Sequence, residues 1–216
     1  VVFIYNWGKA EMVDNLRELG IKVVVVKGPK SIADVKENVK LIAKTLGEED
    51  KGNLMIAKMD DKLAEIKEKL DSIKPEERKK LVLISLMTSY GGKGCTFDDI
   101  CQYAGVINGV SDAGLHNGQL LTKEMLVAIN PDLLIMPVYN DHNTFDIEKY
   151  NKEFLDDPAL QTLNAVKEKR FFYPREGYIY NSSQDIVFGV QEVARAAYGA
   201  LFSQPENCHI SVAEIN

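Results

Sequence analysis

The sequence has few cysteines and no hydrophobic run long enough to cross a membrane. Its 216 residues include Cys95, Cys101 and Cys208, none of them in the C-x-x-C spacing of a zinc or redox site. Because three is an odd number, a disulfide framework is not expected. No apolar run approaches the ~20 residues of a transmembrane helix. The sequence therefore favours a fold held by an ordinary hydrophobic core.

The sequence also lacks an excess of positive charge. It contains 26 Lys and Arg against 32 Asp and Glu, a formal net charge of −6. This balance argues against a nucleic-acid partner, because binding to phosphates needs clustered positive charge. Hydrophobic residues make up 45% of the chain, which is enough for a core, and the length suits one large or two small domains.

The longest regular pattern is an amphipathic stretch at residues 54–73. Its apolar residues recur three or four positions apart and share one face of a helix: Ile56, Met59, Leu63, Ile66, Leu70 and Ile73. A helix of this length spans about 30 Å, and Pro75 lies just past its end. Because three heptads are too few for a coiled coil, we predict a helix that lies along a globular core.

Strand and helix patterns alternate on both sides of this helix. Before it, buried strands are predicted at residues 1–5 and 22–27, each followed by a helix. After it, strands are predicted at residues 81–86, 106–110, 133–138 and 170–173. The helices predicted in this second part are residues 96–104, a helix capped by Thr122, residues 145–169 and residues 184–202, followed by an irregular tail. Such alternation is typical of parallel sheets.

These patterns predict an α/β protein with two parallel-sheet, Rossmann-like lobes joined by one long helix. The predicted division is a remainder of the N-terminal lobe at residues 1–47, an interlobe helix at 48–76 and a C-terminal lobe at 77–216. Because the chain opens inside an apolar strand, we also expect further structure of the first lobe to precede residue 1.

The topology predicts where a ligand would bind. Ligands of open α/β sheets lie beyond the carboxyl ends of the strands, where the loops gather. The loops in that position are residues 6–9, 87–94, 139–144 and 178–181. They are rich in aromatic and amide side chains but contain no nucleophile–base pair recognisable from the sequence. These loops therefore predict a binding edge and identify no catalytic pair.

Two segments resemble the helical-backbone (class III) substrate-binding proteins of ABC importers, which serve iron siderophores, haem and vitamin B12. Residues 10–26 are similar to part of the first lobe of that family. Residues 121–135, LTKEMLVAINPDLLI, match its second-lobe pattern S-x-E-x-L-x-x-x-x-P-D-x-I-I, with Thr122 in place of the usual serine. Residues 96–99 and 104–108 also fit. The resemblance covers roughly residues 1–203.

The resemblance implies a fold and a function. The family joins its lobes by a single long helix, and its first lobe starts well upstream of the segment matched here. A metal chelate would be captured between the lobes, with no intrinsic cofactor, and delivered to an ABC-transporter permease. The location would be periplasmic, or extracellular as a membrane-anchored lipoprotein.

The resemblance also implies that Glu11 and Glu124 are exposed acids, one per lobe, that dock onto the permease. Each of the two lies in the first turn of a predicted helix. A carboxylate there is favoured by the helix dipole, which alone would account for both residues.

The candidate ligand-binding residues are Trp7, Tyr90, Lys93, His116, Tyr178 and Tyr180. The aromatic rings would stack on a ligand or else cover the sheet edge. Lys93 would pair with a ligand carboxylate; its glycine-rich loop is not a nucleotide P-loop, because Cys95 follows Gly94 directly. His116 and His142 are candidate axial ligands to haem iron, or plain surface residues. Cys95 is expected to be inert.

Two other functions stay open. One is a metallocluster enzyme on a related α/β scaffold, in which the three cysteines would have to meet around a metal. The other is a binding protein for a small oxyanion such as molybdate or tungstate. Its site would be small and rich in hydrogen-bond donors rather than aromatic, so the volume of the site separates it from a chelate site.

Overall fold

The computed structural model describes residues 1–87, 89–138 and 145–213. The first part of the chain is a β-α-β-α unit with the following elements: β1 (Val2–Tyr5), α1 (Ala10–Glu18), β2 (Val23–Val26) and α2 (Ile32–Leu46). β1 and β2 pair in parallel, from Val2 opposite Val23 to Tyr5 opposite Val26. The strands, helices and parallel pairing predicted for this part are confirmed.

The long helix α3 (Glu49–Leu70) leads from the first part of the chain to the second. It begins earlier than residue 54 because α2 ends at Gly47, which adopts a left-handed conformation with φ 71° and turns the chain. It ends before residue 73 because a turn at residues 71–73 precedes Pro75. The predicted inner face is confirmed at three buried residues, Met59, Leu63 and Ile66.

The second part of the chain forms a four-stranded parallel sheet with the order β4-β3-β5-β6. Its strands are β3 (Lys80–Leu83), β4 (Ile107–Asn108), β5 (Leu133–Ile135) and β6 (Phe171–Phe172). Its helices are α4 (Thr96–Tyr103), α5 (Gly109–Asp112), α6 (Lys123–Ile129), α7 (Ile147–Leu155), α8 (Asn164–Lys167), α9 (Glu176–Ile179) and α10 (Ile186–Tyr198). β1 and β3 therefore lie in different sheets, and the predicted α/β class is confirmed.

Several predicted boundaries were wrong. The single helix at 145–169 is instead α7, a 3-10 turn at Pro158–Leu160 and α8, because proline has no N–H to continue a helix. The predicted strand at 106–110 shortens to β4, since the side chain of Asn108 caps α5. The last helix runs as α10 and then a 3-10 turn, Gly199–Phe202. The loop at 175–184 contains α9.

One hydrophobic core joins the helices α2 and α3 to the second sheet. It combines residues of α2 and α3, such as Ile32 and Met59, with residues of the second sheet and of α4 and α10, such as Leu81, Phe97 and Val190. A smaller cluster covers the other face of the second sheet. Among the helices of the described residues, none combines the length and apolar character of a membrane span.

Residues 203–213 form no helix or strand, as predicted, but they run back along α10 and are held there. The side chain of Gln204 donates to the Glu192 carboxylate (2.9 Å), and the backbone N–H of Ile210 donates to Asp185 (2.9 Å). Lys58 of α3 donates to the carbonyl of Ser211 (2.6 Å). The tail therefore ties α10 to the long helix.

Candidate ligand-binding site

One contact connects the elements that follow the carboxyl ends of the two sheets. The chain leaves β2 through residues 27–31 and enters α2, and it leaves β3 through residues 84–95 and enters α4. The starts of these two helices touch, because the backbone N–H of Ile32 in α2 donates to the Asp99 carboxylate of α4 (2.7 Å). We call the loops that follow β1, β2 and β3, residues 6–9, 27–31, 84–87 and 89–95, together with residues 113–118, which pair with the loop around Lys93, the carboxyl-end surface.

Trp7 is held in the carboxyl-end surface with most of its ring exposed. Its side chain is 68% accessible. One face stacks on Tyr5, with ring centroids 4.4 Å apart and an interplanar angle of 25°. The ring also covers Gly28, where a Cβ would lie 1.9 Å from the indole, so any side chain at position 28 would displace the ring. The N–H of Gly28 donates to the side-chain oxygen of Asn6 (2.8 Å), which fixes both loops.

Tyr90 and Tyr180 are joined in one network. Their ring centroids are 5.4 Å apart. The hydroxyl of Tyr90 is 2.8 Å from that of Thr96, and the hydroxyl of Tyr180 donates to Ser85 (3.2 Å). Burial raises the pKa of Tyr90 above its ordinary value of 10.0, so the phenol stays protonated at neutral pH. These two tyrosines therefore tie the loop after β6 to the loop after β3.

Tyr178 lies in the core, and its ring offers little surface to a ligand. Its side chain is 8% exposed, its ring centroid lies 5.6 Å from that of Phe188, and its hydroxyl donates to the carbonyl of Cys208 (2.8 Å). Burial raises the pKa of this phenol as well. Tyr178 therefore anchors the tail.

Lys93 and His116 are brought side by side. They form an isolated parallel bridge, in which the N–H of Lys93 donates to Leu115 (2.8 Å) and the N–H of Asn117 donates to Lys93 (3.0 Å). Gly92 allows this approach, because a Cβ there would lie 2.6 Å from the carbonyl carbon of His116. Both side chains are exposed. Paired positions in a bridge place their side chains on the same side, a proximity that the sequence did not indicate.

The glycine-rich loop before α4 already holds a carboxylate of the protein. The Asp98 side chain accepts from the N–H of Gly94 (3.3 Å) and from the side-chain amide of Asn108 (2.9 Å). Asn108 also donates to the carbonyl of Gly91 (2.8 Å). Because Asp98 takes up the backbone N–H of Gly94 and brings negative charge, the backbone of this loop is a poor site for an external anion, whereas the exposed ammonium of Lys93 is available for one.

Two depressions lie near the carboxyl ends of β3 and β5. The smaller, about 80 Å³, includes Ser85, Tyr90 and Lys123 in its lining. The larger, about 610 Å³, includes Pro137, Asn151 and Tyr173. The larger volume is within the range of small-molecule pockets and exceeds what a tetrahedral oxyanion needs. Tyr173, half exposed, was not among the residues singled out from the sequence.

Glu11 and Glu124 are both exposed, each in the first turn of its helix. Thr122 caps α6 by accepting from the N–H of Met125 (3.3 Å). The backbone N–H of Glu124 and the Thr122 hydroxyl lower the pKa of the Glu124 carboxyl, so it stays charged. The permease-docking role of both acids stays a prediction.

The described residues contain no group of three or more His, Cys, Asp and Glu that could hold a metal ion. The three cysteines are free thiols, and burial raises the pKa of both Cys95 and Cys101. A metallocluster built from these cysteines therefore finds no support here. His142 and the predicted loop at 139–144 lie outside the described residues.

Comparison with known proteins gives one family. Residues 1–176 match the family model described as "Periplasmic binding protein". A curated relative from Bacillus subtilis (strain 168), "Uncharacterized ABC transporter substrate-binding lipoprotein YvrC", is 25% identical over 201 residues, 90% of this chain. The matched region spans 60% of that relative's length.

Solved structures share the fold. The periplasmic heme-binding protein RhuT from Roseiflexus sp. RS-1 superposes with a TM-score of 0.78 at 19% identity, over 93% of this chain and 76% of that one. A Haemophilus influenzae periplasmic protein, MolA bound to molybdate, superposes with a TM-score of 0.73 at 16% identity, over 93% and 66%. Each of these relatives is described as a binding protein.

Proposed function

Because the chain belongs to the periplasmic binding protein family, we propose that it is the substrate-binding protein of an ABC importer and not an enzyme. Its ligand is a metal chelate: a ferric siderophore, haem or a corrinoid. The chelate binds between two lobes, residues 1–47 and 77–216, which the helical segment 48–76 joins. The Bacillus subtilis relative, an ABC transporter substrate-binding lipoprotein, and the heme-binding structural neighbour RhuT support this class of function.

The observation that carries the proposal is the exposed, rigid indole of Trp7. A large aromatic ring that is 68% accessible, yet stacked on Tyr5 and seated on Gly28, is pre-ordered for contact with a flat or bulky partner. Its position among the loops at the carboxyl ends of β1 and β2 is where ligands of such sheets bind.

Lys93 and His116 supply the polar contacts in this proposal. As neighbours in a parallel bridge, they present an ammonium and an imidazole on one side of the carboxyl-end surface. The ammonium would pair with a ligand carboxylate, and the imidazole would bind an open coordination position of the metal. Tyr90 and Tyr180 line the floor beside them, whereas Tyr178 positions their loop from behind.

Delivery completes the proposed cycle. The protein acts outside the cytoplasm, in the periplasm or as a lipid-anchored protein, and hands the ligand to the permease. Glu11 and Glu124 dock onto basic residues of the permease. The lobes close only slightly, because a helix packed along the core is stiffer than a pair of crossing strands.

Titration of the purified protein tests the ligand class. Haemin, cyanocobalamin, a ferric hydroxamate siderophore and molybdate are titrated separately by calorimetry, while the emission of Trp7, the sole tryptophan, reports proximity. We expect one chelate to bind and to quench Trp7. Trp7→Ala should weaken that binding by about 1–3 kcal/mol, the scale of a buried aromatic contact.

The matched control is Tyr103→Ala. Tyr103 is another exposed aromatic residue, 42% accessible, but it lies at the opposite end of α4 from the carboxyl-end surface. Its replacement should leave chelate affinity unchanged. Equal affinities for the Trp7→Ala variant and the unaltered protein would place the site elsewhere, and tight binding of molybdate alone would favour the oxyanion alternative.

A further inference from the structure

We propose that Asp99 is a positioning residue of the ligand site: from α4 it caps α2 and so fixes the loops of the first sheet against those of the second. The proposal rests on the function proposed above only in treating the carboxyl-end surface as a ligand site. The contact itself is a hydrogen bond of 2.7 Å from the N–H of Ile32 to the Asp99 carboxylate, between residues 67 positions apart.

The backbone N–H groups at the start of α2 find hydrogen-bond acceptors partly in the adjacent residue Ser31 and partly in the distant helix α4. Ser31 accepts from the N–H of Asp34 (3.1 Å), which is an ordinary N-terminal cap. Asp34 in turn accepts from the N–H of Lys30 (2.9 Å). The N–H of Ile32, whose side chain is fully buried, instead donates to Asp99. A helix cap provided by a distant element restrains that element as well as the helix.

On the side of the first sheet, the restraint extends to Trp7. Residues 27–30 lie directly before the capped turn, and Asn38 of α2 donates to the carbonyl of Lys27 (2.7 Å). The N–H of Gly28 donates to Asn6, and the indole of Trp7 covers Gly28. A shift at the start of α2 would therefore move the surface on which Trp7 rests.

On the side of the second sheet, the restraint extends to the loop that carries Lys93. Asp98, the residue before Asp99, accepts from the N–H of Gly94 and from Asn108. Thr96, at the start of α4, contacts the hydroxyl of Tyr90 (2.8 Å). The hydrogen bond between Ile32 and Asp99 therefore joins two loops that are each fixed within their own part of the molecule.

The charged groups around Asp99 suit a hydrogen-bonding cap better than an ion pair. The carboxylates of Asp98 and Asp34 are near enough to repel its charge, and Lys27 is paired with Asp34 (2.7 Å). The Asp99 carboxylate is therefore attracted mainly by the N–H of Ile32 and by the positive end of the α2 dipole. An asparagine keeps an acceptor oxygen at this position without the charge, and an alanine keeps neither.

The test measures the distance between the two parts of the molecule without ligand. Spin labels are attached to cysteines at Asp14 in α1 and Lys149 in α7, both exposed, in a Cys208→Ser background; Cys95 and Cys101 are buried. Electron paramagnetic resonance then gives the distance distribution. Asp99→Ala should shift or broaden it by more than about 2 Å, and Asp99→Asn should restore the original distribution.

Ser31→Ala is the matched control, because it also removes one cap of α2 but the lost acceptor belongs to α2 itself. It should lower stability while leaving the distance distribution unchanged. An Asp99→Ala distribution equal to that of the unaltered protein, or equal broadening in Ser31→Ala, would overturn the proposal.

Amide exchange gives a second measurement that needs no variant. A hydrogen bond to Asp99 predicts slow exchange at Ile32, and fast exchange there would overturn the proposal even if Asp99→Ala failed to fold. Neither measurement uses a ligand. Failure of every chelate to bind would therefore defeat the proposed function but would not affect these two tests of Asp99.

Discussion

The charge of Asp99 depends on its surroundings. Burial raises the pKa of its carboxyl above the ordinary value of 3.8, the Asp98 and Asp34 carboxylates raise it further, and the hydrogen bond from Ile32 lowers it only in part. The folded state therefore binds this proton more tightly than the unfolded chain does. The stabilisation from this group is present below the unfolded pKa and is lost as pH rises through the folded pKa.

This linkage predicts a pH-dependent difference between the unaltered protein and Asp99→Asn, which has no proton to lose. Urea unfolding at several values between about pH 4 and pH 7 measures it. The free energy of unfolding of Asp99→Asn, relative to that of the unaltered protein, should increase with pH. A difference that is constant or falls across this range would contradict the raised pKa.

At the residue level, the sequence indicated which residue types gather at the carboxyl ends but not how each is used. Trp7 followed from its place after an apolar strand. The buried position of Tyr178 could not be predicted in this way, because its hydroxyl bonds to Cys208, a residue of the irregular tail. The pairing of Lys93 with His116 depends on the close approach of the His116 backbone to Gly92. A single sequence shows the glycine but not the segment that packs against it.

At the level of elements, Gly52 controls how closely α2 and α3 pack. A Cβ at Gly52 would lie 2.4 Å from the Cβ of Ala43, so the two helices must separate to accommodate any side chain. In an exposed helix, replacement of glycine by alanine stabilises by roughly 1 kcal/mol. Here the clash should outweigh that gain.

We therefore predict that Gly52→Ala lowers the free energy of unfolding by about 1–3 kcal/mol, the usual cost of overpacking. Asn53→Ala is the matched control: Asn53 is the next residue of α3 and is exposed, so the change alters helix propensity without a clash. Denaturant unfolding compares the two. A stabilised Gly52→Ala would mean that the helices separate at no cost.

Periodicity predicted α3 well, because one face of that helix is buried. It also predicted α10, although residues 186–194 are buried on every side of that helix. It failed at 145–169, where Asp157 and Pro158 interrupt an otherwise helical pattern by starting a 3-10 turn. It also lengthened strands into neighbouring loops, because an apolar run such as 133–138 continues past the last paired residue, Ile135. Strand ends depend on pairing partners that are distant in sequence.

At the level of the whole molecule, the core is shared between the helices α2 and α3 and the second sheet with its helices. Ile32 and Met59 come from the first part of the chain and α3, and they join Phe97 and Val190 in one buried cluster. The alternation of strands and helices predicted two sheets, but it contains no information on how they pack together. A shared core favours small relative motions, so the proposed docking onto a permease would depend on surface residues.

Glu124 belongs to that surface. It is exposed in the first turn of α6, and Asn130 ends this helix in a left-handed conformation just before the chain enters β5. Removal of such a carboxylate should leave the unfolding free energy and chelate affinity nearly unchanged. At an interface with the permease, the same charge would be desolvated against a basic residue, and its removal would leave that partner unpaired.

Glu124→Ala should therefore raise the protein concentration needed for half-maximal stimulation of the transporter ATPase by at least about tenfold. Glu11→Ala, on the first part of the chain, should act in the same way more weakly. Glu148→Ala is the matched control, because Glu148 is also an exposed acid in the first turn of a helix, α7, but has no counterpart in the family pattern. It should stimulate normally. A Glu124→Ala variant that transports normally but loses the chelate would assign this residue to the ligand site instead of the docking surface.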